Sequence, residues 1–257
     1  MKLMKYEEWV KSVHQADGLS ERVENEIRKD IVTFMIILGK HADLGTSAIA
    51  KAIFIFHKFS KLLSFKRINF LLYASCCIFI SAKFDDTPLK LDVIARMFLT
   101  MNLVYRELRT AHPLGSKDLE PSDFPVSIFK EIGFEQKAIE LTCDSFTTAE
   151  AEILMETGYD LDIDLPYSYI KMLEEENSMI EESLVDTAMA VVNKSWQTIL
   201  CLYFEPKVIA MGALIFAQEL NRRSSKDTKL ESAWRKVFGD VNQEEVEEVT
   251  KYLKELN

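Results

Sequence analysis

Glycine and proline are scarce in this chain, at eight and six residues in 257. Together they make about 5% of it, where an average protein carries roughly 12%. Both residues punctuate turns, so a chain this poor in them cannot supply a β-sandwich or propeller with a turn every ~10 residues. Collagen, low-complexity disorder and a glycine-rich nucleotide cradle are excluded for the same reason. Long helices joined by few connections remain.

Other shortages narrow the function. The four histidines, His14, His41, His57 and His112, are scattered with no His-x-x-x-His pair for zinc. Isolated packing or surface histidines are expected, and no metal site or cofactor. No Gly-x-Ser-x-Gly elbow or Walker loop occurs. The four cysteines, at 76, 77, 143 and 201, form no Cys-x-x-Cys pair. Buried reduced thiols are expected, which fits cytosol or nucleus. The amino-terminal MKLMKYEEWV does not read as a secretory signal. The longest apolar stretch, Phe70 to Ala82, is 13 residues, short of the ~20 that span a bilayer. No membrane association is expected.

Positive charge is also short. Lys and Arg number 31 against 41 Asp and Glu, a net charge of -10. A nucleic-acid binder neutralises phosphates with Lys and Arg, so no direct nucleic-acid binding is expected. The one basic cluster, Arg222, Arg223, Lys226 and Lys229, reads as a solvated loop.

What is present is helical periodicity, nearly throughout. Tyr6, Trp9, Val10 and Val13 make a short stripe ended by Asp17-Gly18. Ile27, Ile31, Phe34 and Leu38 make a second, stopped near Gly39 and Gly45. A third helix is expected from Thr46 to Ser60. The segment from Ile68 to Lys83 is apolar all round, the mark of a helix surrounded by others. Its small middle (Ala74, Ser75, Cys76, Cys77) lets neighbours approach closely. A Phe84-Asp85-Asp86-Thr87-Pro88 turn follows, with an N-cap for the next helix, Leu89 to about Met101. From Asn102 to Thr148 the pattern decays into a long connection holding three of the six prolines. A helical piece is expected near Ser127 to Ile132.

Helical pattern resumes from Thr148 to Thr157 and ends at Gly158. An extended linker through Asp160, Asp162 and Asp164 leads to a helix opened by Pro166, with Asp164 as its N-cap. Lys207 to Leu220 is again almost wholly apolar. A shift of 136 residues lays Ala74, Cys76 and Cys77 on Ala210, Gly212 and Ala213, and Ala52 on Ala188. This points to an internal repeat. Helices from Ser232 to Phe238 and Val246 to Leu256 close the chain. Two helical bundles are expected, each around one central buried helix.

Asp85 and Asp86 do not make a Mg²⁺-diphosphate site, because Thr87-Pro88 stands where a third carboxylate one turn on would be needed. On sequence physics alone, Lys83 reads as a cation snorkelling at a helix end, and Glu150 as an acid favoured at a helix start.

The order of these motifs carries a resemblance. Ser75 through Lys83-Phe84-Asp85-Asp86-Thr87-Pro88 resembles the cyclin box, with a small-residue helix ending in Ala-x-Lys, two acids, and a proline before an amphipathic helix. Ala50 to Phe59, with His57-Lys58-Phe59, looks like the helix before it. Ile153-Leu154 through Tyr159-Asp160-Leu161 and Pro166-Tyr167 looks like the join between two boxes. Val192-Asn193-Lys194-Ser195, Thr198, Leu200, Phe204-Glu205-Pro206 and Trp234 to Phe238 are similar to transcriptional cyclins of the K, T and L types.

The resemblance implies an all-α fold of two tandem five-helix cyclin boxes with a short N-terminal helix. It sets a lead-in at 1–24, a first box at 25–163 and a second at 164–257. It implies a non-catalytic subunit that binds and activates a cyclin-dependent protein kinase as a heterodimer in the nucleus. That kinase would be a transcriptional one phosphorylating the RNA polymerase II C-terminal domain. Lys83 and Glu150 take the family's kinase-anchoring positions, with Phe84, Asp85 and Asp86 beside them. The Met-Arg-Ala-Ile-Leu docking patch of cell-cycle cyclins is replaced here by Ile31 to Leu38, so that groove is not expected. The alternative is a cyclin-fold transcription factor similar to transcription factor IIB, binding DNA or polymerase.

Overall fold

The computed structural model describes residues 12–124, 133–176, 180–221, 234, 236–239 and 241–256. Among these residues there are ten α-helices with defined bounds, a further helical stretch at Trp234 and Lys236–Phe238, and no strand. The chain divides into two compact units, one over Trp9–Asp162 and one containing Ile163–Asn257.

In the first unit the helices are α1 (Val13–Ala16), α2 (Glu21–His41), α3 (Thr46–Ser60), α4 (Phe70–Phe84), α5 (Leu91–Ala111) and α6 (Gln136–Thr157). The apolar helix α4 is the centre, packed against α2, α3, α5 and α6. Every residue from Ala74 to Ala82 is buried. Each large side chain buried there, such as Ile78 or Phe79, contributes about 1.5–3 kcal/mol by leaving water. Its two serines find carbonyl partners: Ser75 Oγ donates to Leu71 O at 2.8 Å and Ser81 Oγ to Ala48 O of α3 at 2.7 Å. Burial pushes the thiols of Cys76 and Cys77 far above their ordinary range, so both are inert packing groups. Cys143 and Cys201 are only partly buried.

Gly39 does not stop α2. The helix runs on to His41, and a Cβ at Gly39 would lie 2.6 Å from Ile49 Cγ1. The glycine is there for close approach of α2 and α3. The end is set instead by Asp43, which takes a left-handed φ of 58°.

Two helices are longer than their periodicity predicts. α5 continues ten residues past Met101, with Val104 and Tyr105 buried and Arg109 paired to Asp30. α6 starts at Gln136 rather than Thr148, on a buried stripe of Ile139, Thr142, Phe146, Ala149 and Ile153. The polar run hid it. Thr142, Ser145, Thr147 and Thr148 each donate their hydroxyl to the carbonyl four residues back, at 2.8–3.1 Å, and are helical at little cost. The connection between the two helices therefore shrinks to residues 112–135. The helix expected at Ser127 to Ile132 lies outside the described residues, as does the basic cluster at 222–229 and the stripe before Val13.

The first half of α2 buries four charged residues, Glu24, Glu26, Arg28 and Asp30. Arg28 Nη2 donates to Glu24 at 2.9 Å, and Tyr105 OH and Arg109 Nε donate to Asp30 at 2.9 and 2.7 Å. The Gly115 amide donates to both Glu26 oxygens at 2.7 and 2.6 Å. The connection after α5 is thus fastened to α2.

The second unit holds α7 (Pro166–Glu176), α8 (Glu182–Ser195), α9 (Pro206–Leu220) and α10 (Gln243–Leu256). Its centre is α9, packed against α7, α8 and α10. Gly212 plays the close-approach role, since a Cβ there would meet Val249 Cγ1 of α10 at 2.8 Å. The starts of α8 and α9 follow those of α3 and α4 by 136 residues in both cases. The repeat read from small residues is therefore a repeat of helices. Asp164 lies one residue too early to be the N-cap of α7, and instead accepts from Leu165 N, Ser168 Oγ and Tyr169 OH at 2.9, 3.1 and 2.7 Å. Of the helix expected from Ser232 to Phe238, Trp234 and Lys236 to Phe238 are helical and the rest lies outside the described residues. Among the described residues no helix is long and apolar enough to cross a membrane.

Candidate functional site

The last turn of α4 is where the buried central helix reaches the surface. Lys83 is its final charged residue, at the C-terminal end where a cation is favoured by the helix dipole. Its Nζ donates to Glu150 Oε1 of α6 at 2.7 Å and lies 4.1 Å from the centroid of the Phe79 ring. The side chains are 45% and 23% exposed. Two residues 67 apart in sequence are therefore joined at the surface. Glu150 sits deep inside α6 rather than at a helix start. The dipole account of this acid fails, and its partner is Lys83.

Phe84, Asp85 and Asp86 follow as a closed turn. Phe84 is 47% exposed. Asp85 is the C-cap of α4, its amide donating to Ser81 O at 3.0 Å, and its carboxylate accepts from Lys51 Nζ of α3 at 2.6 Å. Asp86 adopts a left-handed φ of 53°. Thr87 then closes the loop, its amide and hydroxyl donating to Ala82 O at 3.0 and 3.2 Å. Neither aspartate caps the next helix. That helix opens at Leu91, not Leu89, behind Lys90, which makes no side-chain cap.

The sequence reading missed several neighbours. Tyr73 of α4 donates its hydroxyl to Glu152 of α6. Burial, and then the Glu152 carboxylate, pushes that hydroxyl up to about 12, so it stays a donor. Met155 and Tyr159, at the end of α6, are 68% and 66% exposed. Lys58 of α3 donates to Thr157 O at 3.0 Å and holds this end. Tyr159 entered the sequence reading only as part of the join between the two boxes, and Met155 lies on a helix whose start the polar run had concealed.

This surface mixes charge with apolar exposure. An exposed ion pair of this kind contributes only about 0–1 kcal/mol to the fold. Phe84, the residue after Lys83, and Met155 and Tyr159, toward the end of α6, are large apolar side chains left in water. Such a set of apolar and charged groups gains by being covered.

Comparison with known proteins gives the chain a family. The family model described as "Cyclin, N-terminal domain" matches residues 1–162. Cyclin-T1-2 of Oryza sativa subsp. japonica is 29% identical over 206 residues, covering 80% of this chain and 30% of that protein. Cyclin-T1-5 of Arabidopsis thaliana is 28% identical over 247 residues, covering 95% and 38%. Cyclin-K of Homo sapiens is 27% identical over 210 residues, covering 80% and 31%. The chain thus spans about a third of the length of these relatives. Among solved structures, the yeast RNA Pol II CTD kinase CTDK-1 complex matches with a TM-score of 0.64 at 15% identity, covering 93% of this chain and 79% of that one. The CAK complex of Chaetomium thermophilum matches with a TM-score of 0.58 at 13% identity, covering 92% and 65%. Their likeness is one of fold, and it agrees with the all-α, two-box architecture. This chain belongs to the cyclin family, and its resemblance is to the transcriptional T and K types.

Proposed function

We propose that this chain is the regulatory, non-catalytic subunit of a cyclin-dependent protein kinase, and that it docks the kinase through Lys83, Glu150, Phe84, Asp85 and Asp86. The kinase is of the transcriptional kind, phosphorylates the RNA polymerase II C-terminal domain, and works in the nucleus. We assign the first cyclin box to residues 25–163 and the second to 164–257. The observation that carries the reading is the Lys83–Glu150 pair, held at 2.7 Å beside an exposed Phe84. Names of the cyclin T and K relatives and of the kinase complexes support it.

In this reading the chain contributes surface and no reacting group. A kinase is active when the lysine that holds the ATP phosphates pairs with a glutamate on its regulatory helix, which requires that helix to be turned inward. A rigid partner face favours the inward state by binding it better than the outward one. Phe84, Met155 and Tyr159 supply apolar contact, and the Lys83–Glu150 pair supplies polar groups for the kinase backbone. The net charge of -10 fits a protein partner better than DNA.

Purification of this chain from its native extract tests the reading. A cyclin-dependent kinase in stoichiometric amount is the expected companion, and its activity on a polymerase C-terminal-domain peptide should require the chain. Recovery of DNA or polymerase in place of a kinase, with binding that collapses as salt is raised, would overturn it in favour of the transcription-factor reading.

A further inference from the structure

Helix α3 is shut off from solvent between Ala48 and Ser60 except at two residues, Lys51 and Lys58. They stand seven positions apart, two turns of helix, so they share one face about 10 Å apart along its axis. Each lysine reaches the C-terminal end of a different neighbour. Lys51 Nζ donates to Asp85 Oδ1 at 2.6 Å, just beyond α4, and lies 5.2 Å from the centroid of the Phe84 ring. Lys58 Nζ donates to Thr157 O at 3.0 Å, at the last residue of α6, and stands 3.8 Å from Asp160 Oδ2.

These two helix ends carry the two exposed aromatics of the docking face, Phe84 and Tyr159. Both ends also contain a non-glycine residue in the left-handed region, Asp86 at φ 53° and Tyr159 at φ 56°. Such residues persist only where the surroundings hold them. Helix C-termini offer unpartnered carbonyls and a negative dipole end. A lysine supplied from a third, buried helix answers both needs and ties the turn to the core.

We propose that Lys51 and Lys58 are positioning residues that hold Phe84 and Tyr159 in the orientation a kinase meets, so that docking does not have to order them. This rests on the reading of the face as a kinase-docking surface. The lysines themselves need not touch the kinase. They act through the turns they clamp, lowering the entropy lost when the aromatics are covered.

The test is a set of coupled substitutions read by affinity for the kinase that co-purifies with the wild-type chain, purified and immobilised. Lys51→Met and Lys58→Met keep the apolar stem and remove the charge. Each should weaken binding about tenfold. In the doubles, Lys51→Met with Phe84→Ala and Lys58→Met with Tyr159→Ala should bind no worse than the aromatic variant alone. Lys58→Arg should recover binding to within about threefold of wild type. Lysine variants that bind like wild type, or losses that add fully in the doubles, overturn the proposal alone. Wild-type binding by Phe84→Ala and Tyr159→Ala overturns the docking-face reading and this proposal with it.

Amide exchange in the free chain gives a second, kinase-independent readout. In the Met variants the amides of Asp85 and Thr87, or of Gly158 and Tyr159, should exchange about tenfold faster, while those of Ala74 to Ala82 keep their rates. Unchanged exchange at the turns, or a uniform rise through α4, would contradict the clamp.

Discussion

Arg109, near the end of α5, grips Asp30 of α2 through both of its fork nitrogens, Nε at 2.7 Å and Nη2 closer still. Asp30 is 1% exposed. Burial raises its carboxyl above the usual range, against the pull of the guanidinium. The pair is therefore costly to break, because Asp30 stays buried without its counter-charge and, among the described residues, with only the Tyr105 hydroxyl as donor. Arg109→Leu should cost about 3–5 kcal/mol, measured by urea unfolding. Asp30→Asn combined with Arg109→Leu should cost less than Arg109→Leu alone.

Acid should loosen the seat of α1. His14 is 1% exposed, and its Nδ1 accepts from the Phe65 amide at 3.2 Å. Burial, then the nearby Arg28, lowers its pKa from 6.5 to about 4, even with Glu24 close by. The unfolded chain therefore binds a proton that the folded chain refuses between about pH 6.5 and 4. Stability from this residue is fully present above pH 6.5 and is lost as pH falls toward 4. Melting wild type and His14→Gln side by side from pH 7 to pH 4 should show wild type losing more. Because the two chains share every other titrating group, including Asp30, the difference isolates His14.

Gly39 tests the close packing of α2 on α3. With Ile49 Cγ1 2.6 Å from the place a Cβ would take, Gly39→Val should destabilise the chain by about 1–3 kcal/mol by overpacking. A chain of this size should then melt about 2–4 °C lower for each kcal/mol. Pairing it with Ile49→Ala should recover part of the loss.

The helices that carry apolar stripes were legible in the sequence, and so were the two central helices and their 136-residue repeat. They were legible because a helix apolar on all sides admits no other position in a bundle. What stayed hidden was polar. The Thr- and Ser-rich start of α6 and the polar end of α5 read as loop, since their hydroxyls and charges are satisfied by partners that no local pattern displays. Gly39 and Gly212 serve packing, which a sequence cannot separate from turn formation before the neighbouring helix is placed. Lys83 and Glu150 emerged as a pair only through family resemblance. Their physical link, like those of Lys51 to Asp85 and Lys58 to Thr157, spans residues too distant in sequence for periodicity to connect.

Kinase docking by this chain turns on the Lys83–Glu150 pair. A chain carrying both Lys83→Glu and Glu150→Lys keeps opposite charges at 2.7 Å spacing within reach but presents them reversed to any partner. Because the pair adds only about 0–1 kcal/mol, helicity and melting temperature should stay close to wild type. The measurement is kinase recovery with this chain, together with phosphorylation of a polymerase C-terminal-domain peptide. Both should be lost while the fold is retained. Undiminished kinase recovery and activity would contradict docking through this pair.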